Sequence, residues 1–83
     1  MQFIKGILLH RRTIKTKKGQ DLNIVSILDQ YKTHSQVVDI TDFDNFLDNI
    51  EIGQSVEFPF RSRPGVSDRG NTYINYVTAG QPV

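Results

Sequence analysis

Nine of the ten Lys and Arg residues of this chain fall in two short segments, a pattern suited to neutralising a row of phosphates. Lys5, Arg11, Arg12, Lys15, Lys17 and Lys18 lie within the first eighteen residues, where no Asp or Glu occurs. Arg61, Arg63 and Arg69 form the second group, offset only by Asp68. The remaining acids, Asp21, Asp29, Asp39, Asp42, Asp44, Asp48, Glu51 and Glu57, lie between the groups against a single Lys32. The net charge of +1 therefore hides a polarised chain. Bases of a single strand stack on aromatic rings, each worth roughly 1–3 kcal/mol. Tyr31, Tyr73 and Tyr76 are the stacking candidates, with Phe60 a weaker one. Tyr76 shares the phase of Ile74 and reads equally as core.

Other chemistry finds few residues to use. His10 and His34 are the only histidines, on different segments, and there is no cysteine, so neither a general base beside a nucleophile nor a usual zinc site is indicated. Asp42-x-Asp44 opens like a calcium loop, but Leu47 stands where the glycine belongs and Gly53 where the closing glutamate belongs. No phosphate-cradling glycine motif with a following lysine occurs. The expectation is a non-enzymatic protein without metal or cofactor.

The elements that must position the charges read as five strands and one helix. Phe3 to Thr13 is rich in branched apolar residues, and a second strand from Leu22 to about Tyr31 repeats that character at Leu22, Ile24, Val25, Ile27 and Leu28. Between them Lys17-Lys18-Gly19-Gln20 supplies a hairpin turn. Gln36 to Ile40 makes a short third strand. Phe43, Phe46, Leu47 and Ile50 then recur at helical spacing, with Thr41 as N-cap and Gly53 as stop. Val56, Phe58 and Phe60 alternate with Glu57, Pro59 and Arg61, and Pro59 predicts an edge or a bulge. Pro64-Gly65 and Asp68 to Asn71 read as turns, Thr72 to Thr78 as the last strand, and residues 79–83 as a short frayed tail.

Strand, strand, strand, helix, strand, strand is the order of the oligonucleotide/oligosaccharide-binding (OB) fold, a mainly β five-stranded barrel. Such barrels bind oligomers on the face made by strands two and three, flanked by the loop joining strands one and two and the loop joining strands four and five. Here those loops are about 13–20 and about 62–71, so the fold places both basic groups on the two banks of one cleft. Arg11 and Arg12 lie just ahead of the first loop, and Arg61 at the base of the second.

The same segments resemble a known family. Thr16-Lys17-Lys18-Gly19-Gln20-Asp21-Leu22 is similar to the first hairpin of small bacterial and phage single-stranded-DNA-binding proteins. Arg63 to Tyr73, with Gly65-Val66-Ser67, Gly70 and Tyr73, resembles the DNA-binding wing of the filamentous-phage helix-destabilising proteins. That resemblance implies a dimeric OB-fold protein that coats single-stranded DNA cooperatively during replication, with Arg69 and Tyr73 on the strand. It departs in position, because the family's wing lies in its N-terminal half.

Eighty-three residues make one domain, and with no disulfide its stability rests on packing, which self-association would assist. No run approaches the roughly 20 apolar residues of a membrane span. The expected setting is the cytoplasm of a bacterial host. The ending Gln81-Pro82-Val83 lacks the acidic tail of cellular single-stranded-DNA-binding proteins, which suggests a phage or plasmid source. Two other readings stay open: an OB protein that binds RNA, and a protein-interaction module using the acidic stretch 39–57.

Overall fold

The structure is a computed structural model describing residues 2–30 and 35–83. Five strands, β1 (Gln2–Lys15), β2 (Asp21–Asp29), β3 (Gln36–Thr41), β4 (Ser55–Val66) and β5 (Thr72–Thr78), close a barrel in the order β1-β2-β3-β5-β4. This is the strand order of the OB fold. All neighbours are antiparallel except β3 and β5, which share two parallel pairs, Ile40 with Tyr76 and Thr41 with Val77.

The long first strand serves two sheets at once. Its start pairs with β4 as far as Ile7–Ser55, and from Gly6 onward it pairs with β2. A strand that changes partners must curl, and two residues permit this. Gly6 sits where both ladders overlap, and a Cβ there would fall 2.6 Å from the Ile27 side chain and run into the Leu28 carbonyl oxygen. The register then shifts between Leu8 and His10, a bulge that bends the strand and increases its twist. Inward-facing Ile4, Leu8, Val25, Ile27, Ile40, Val56 and Phe58 fill the barrel.

No helix forms among the described residues, so the expected helix over 41–53 is replaced by a run of turns. Leu47 does enter the core and is fully buried, but Phe43, expected inside, is exposed. Asp42 organises the segment in place of the expected Thr41 cap. Its carboxylate, 2% exposed, accepts the N–H groups of Phe46 at 3.0 Å and Leu47 at 2.9 Å. It also accepts the Thr78 hydroxyl at 2.8 Å. Asn45 adopts φ 58°, a left-handed conformation that interrupts any helix passing through it. Bonds from Asp48 N–H to Asn45 O and from Ile50 N–H to Leu47 O then give isolated turns, which reproduce the helical spacing of the apolar residues without a helix.

Two further expectations change. β4 is not an edge strand. Pro59 is tolerated because β4 changes partner there, leaving β1 after Phe60 and taking up β5 from Phe60 onward. The tail is docked rather than frayed: Ala79 N–H donates to Pro59 O at 2.9 Å and Val83 N–H to Glu57 O at 2.7 Å, extending the line of β5 along β4.

Candidate nucleic-acid interface

Both long hairpins end in the same five-residue turn. In one, Thr16 N–H donates to Gln20 O at 2.8 Å, Gly19 N–H to Thr16 O at 2.9 Å, and the Thr16 hydroxyl accepts Gln20 N–H at 3.1 Å. In the other, Ser67, Gly70 and Asn71 make the same three bonds at 2.8, 2.9 and 3.2 Å. Gly19 and Gly70 both adopt φ 80°, the left-handed conformation that only glycine reaches without strain. The pattern is a hydroxyl residue, two free positions, glycine and an amide. The two free positions stand out from each tip, and they hold Lys17-Lys18 and Asp68-Arg69.

The loops are shorter than the sequence predicts, because pairing continues further. β4 and β5 remain in register through Val66–Thr72, so Arg61, Arg63 and Pro64-Gly65 are strand residues rather than loop residues. Lys15 likewise ends β1, directly opposite Asp21. Side chains that face each other across an antiparallel pair share a face. Arg61, Arg63 and Tyr73 therefore lie on one face of the β4–β5 hairpin, and Ser62, Ile74 and Tyr76 on the other. Tyr73 lies across Gly65, where its ring leaves no room for a Cβ, and keeps 45% of its surface exposed.

Four contacts bring the hairpins together. At the tips, Lys17 Nζ lies 3.4 Å from Asp68 Oδ2, with both side chains almost fully exposed. At the base, the turn after β3 touches both hairpins. Asp42 N–H donates to Asn23 O at 2.8 Å, and Asn23 Nδ2 donates to Asn45 Oδ1 at 2.6 Å. On the other side of the same turn, the Arg63 guanidinium stands over the Phe43 ring, 5.6 Å from its centroid. Lys17, Lys18, Arg63, Arg69 and Tyr73 thus gather where the two hairpins approach, with Lys15 at the end of one of them. Phe43 joins them and was missed in the sequence, where its spacing marks it as core.

The remaining predicted site residues lie elsewhere or are already engaged. Arg11 turns inward: its guanidinium donates to Leu47 O at 2.9 Å and Ile50 O at 2.5 Å, and sits 3.6 Å from the Asp48 carboxylate. It holds carbonyls of the turn segment through both terminal nitrogens. Arg12 lies 3.4 Å from Asp39, whose other oxygen accepts the Ser26 hydroxyl at 2.7 Å. Tyr31 lies outside the described residues. Tyr76 packs edge-to-face on Phe60, with centroids 5.8 Å apart, on the opposite face of the hairpin from Tyr73. The acidic stretch is partly consumed inside the protein too, with Asp42 buried and Asp39 and Asp48 facing arginines. Among the described residues, no group of three His, Cys, Asp or Glu side chains is placed to hold a metal.

No protein-family model matches the chain, and no curated protein does. Among solved structures it is similar to the mitochondrial single-stranded DNA binding protein Rim1 from S. cerevisiae. One crystal form gives a TM-score of 0.68 and a second 0.61. Both are 20% identical, with 95% of this chain and 88% of that chain covered. At that identity the likeness establishes the fold. Both structures are of a mitochondrial protein, so the filamentous-phage resemblance and the phage or plasmid source gain no support from them.

Proposed function

We propose that this chain is a non-enzymatic binder of single-stranded DNA, largely indifferent to sequence, that protects or holds open strands during replication. The observation that carries the reading is the contact of Lys17 with Asp68, which sets the Lys17-Lys18 tip beside the tip that carries Arg69. The two solved neighbours share the fold and are themselves described as single-stranded DNA binding proteins. Lys15, Lys17, Lys18, Arg63 and Arg69 neutralise phosphates, with Arg61 beside them on β4. Tyr73 and Phe43 offer exposed faces for bases. Arg11 is left out of this set because its guanidinium is already occupied.

The test is a titration against oligo-dT and a duplex of equal length at two salt concentrations. With five phosphates neutralised, log affinity falls against log salt with a slope near about −3.5 on the single strand. A flat salt response, or tighter binding to the duplex, overturns the proposal.

A further inference from the structure

Arginines of this protein are held in two different ways, and the difference decides how much charge they keep for a partner. Arg11 lies 3.6 Å from the Asp48 carboxylate and Arg12 lies 3.4 Å from Asp39. A carboxylate that orders an arginine also offsets its charge, so both offer less to a polyanion. Arg63 is held otherwise. Among the described residues no carboxylate lies within ion-pair distance of it, and its guanidinium stands 5.6 Å from the centroid of the Phe43 ring. An aromatic ring attracts a cation through its quadrupole and carries no net charge. It can fix the guanidinium and leave the positive charge whole.

The ring stands on an anchored element. Phe43 follows Asp42, whose buried carboxylate accepts the N–H groups of Phe46 and Leu47 and the Thr78 hydroxyl. Leu47, four residues on, is sealed in the core. Arg63, by contrast, stands on the part of β4 that has left β1 and pairs with β5 alone. A long side chain on such a hairpin samples many rotamers, and ordering it on a ligand costs entropy. A contact made beforehand removes part of that cost. Further along the same face of the hairpin, Tyr73 lies across Gly65. The face thus carries a ring, a cation and a ring in succession, with Arg63 in the middle.

We propose that Phe43 is a positioning residue for Arg63, holding its guanidinium, charge intact, where the backbone of the bound strand passes. The inference rests on the single-stranded DNA reading. It concerns the covered part of the ring; the exposed part, 41% of the residue's surface, is what a base would meet.

The experiment is a double-variant cycle read by fluorescence anisotropy with oligo-dT at two salt concentrations. The loss caused by Phe43→Leu should be roughly two- to fivefold greater in wild type than in the Arg63→Ala background, the worth of one exposed cation–π contact. Phe43→Leu should leave the salt slope as it is, because no charge is removed, whereas Arg63→Ala should lower it by about 0.7. Phe43→Tyr keeps a ring and should bind like wild type. In the free protein, the Arg63 side-chain protons should show an upfield ring-current shift in NMR spectra, kept by Phe43→Tyr and lost in Phe43→Leu. Circular dichroism checks that the variants fold, and the wild-type shift needs no substitution at all. Equal losses from Phe43→Leu in both backgrounds, no rescue by Phe43→Tyr, or unshifted Arg63 protons in wild type overturn the positioning role and leave the DNA reading standing. A protein that does not bind oligo-dT overturns the DNA reading, and this role with it.

Discussion

Lys17 and Asp68 stand 51 residues apart in the chain and 3.4 Å apart in space. Each occupies the first free position of its own tip, and the two tips are built by the same three hydrogen bonds. The ion pair is too exposed to hold the hairpins by itself. Its importance is as a marker of proximity, since it shows that both basic segments border one region. It also places Asp68 against a cation that a phosphate would otherwise use.

Replacing Asp68 by Asn removes this competitor. Oligo-dT affinity should rise roughly two- to fivefold at low salt, the scale of one exposed charge pair, and the gain should shrink as salt is added. Fluorescence anisotropy at two ionic strengths measures it. An unchanged affinity would mean that the strand does not pass between the tips.

Removing a single cation should be read in the salt slope rather than in the affinity alone. Lys18→Ala and Arg69→Ala should each reduce the slope by about 0.7, and the double variant by about 1.4. Arg11→Ala should leave the slope as it is and instead lower stability by about 2–4 kcal/mol in urea unfolding, since three carbonyls lose a charged donor. If Arg11→Ala changes the slope like the others, Arg11 reaches the strand after all.

Tyr73 can be tested without touching it. A Cβ at Gly65 would fall 2.5 Å from the Tyr73 ring, so Gly65→Ala must push that ring aside. The variant should lose affinity for oligo-dT by roughly five- to a hundredfold, like Tyr73→Leu, if one base stacks there. The double variant should be no worse than either single one. Additive losses would show that Gly65 acts by some other route.

Asp42 should be the most costly single side chain to remove. Asp42→Ala leaves the buried Leu47 N–H, the part-buried Phe46 N–H and the Thr78 hydroxyl without an acceptor, a loss of about 3–5 kcal/mol in denaturant midpoint experiments. Asp42→Asn keeps one carbonyl acceptor and should lose less. Gly6→Ala should also destabilise, by roughly 1–3 kcal/mol, through collision with β2.

The strands were readable because each carries its own alternation and each hairpin its own glycine. β5 begins and ends where the pattern places it, and Gly19 and Gly70 take the positive φ that their turns require. The segment after β3 was misread for a physical reason. Helical spacing at Phe43, Phe46, Leu47 and Ile50 says only which side faces the barrel, and successive turns satisfy it as well as a helix does. The contrary signal was local: Asp42, Asp44, Asn45, Asp48 and Asn49 favour turns and are poor helix formers. Pairing beyond Pro64-Gly65 was also hidden, since those residues terminate strands more often than they extend them. The separate fates of Arg11 and Arg63 depend on which way each strand faces after a bulge or a change of partner, and no count of charges contains that.

The parallel junction of β3 with β5 rests on two residue pairs, reinforced by the one bond from Thr78 to Asp42. Every other junction in the barrel is a ladder of six or more pairs. Breathing of the native protein therefore begins there, and deuterium should reach the amides of that junction before those shared by β1 and β2. The barrel behaves as a cuff with a short clasp, able to part along one line while the rest keeps its shape.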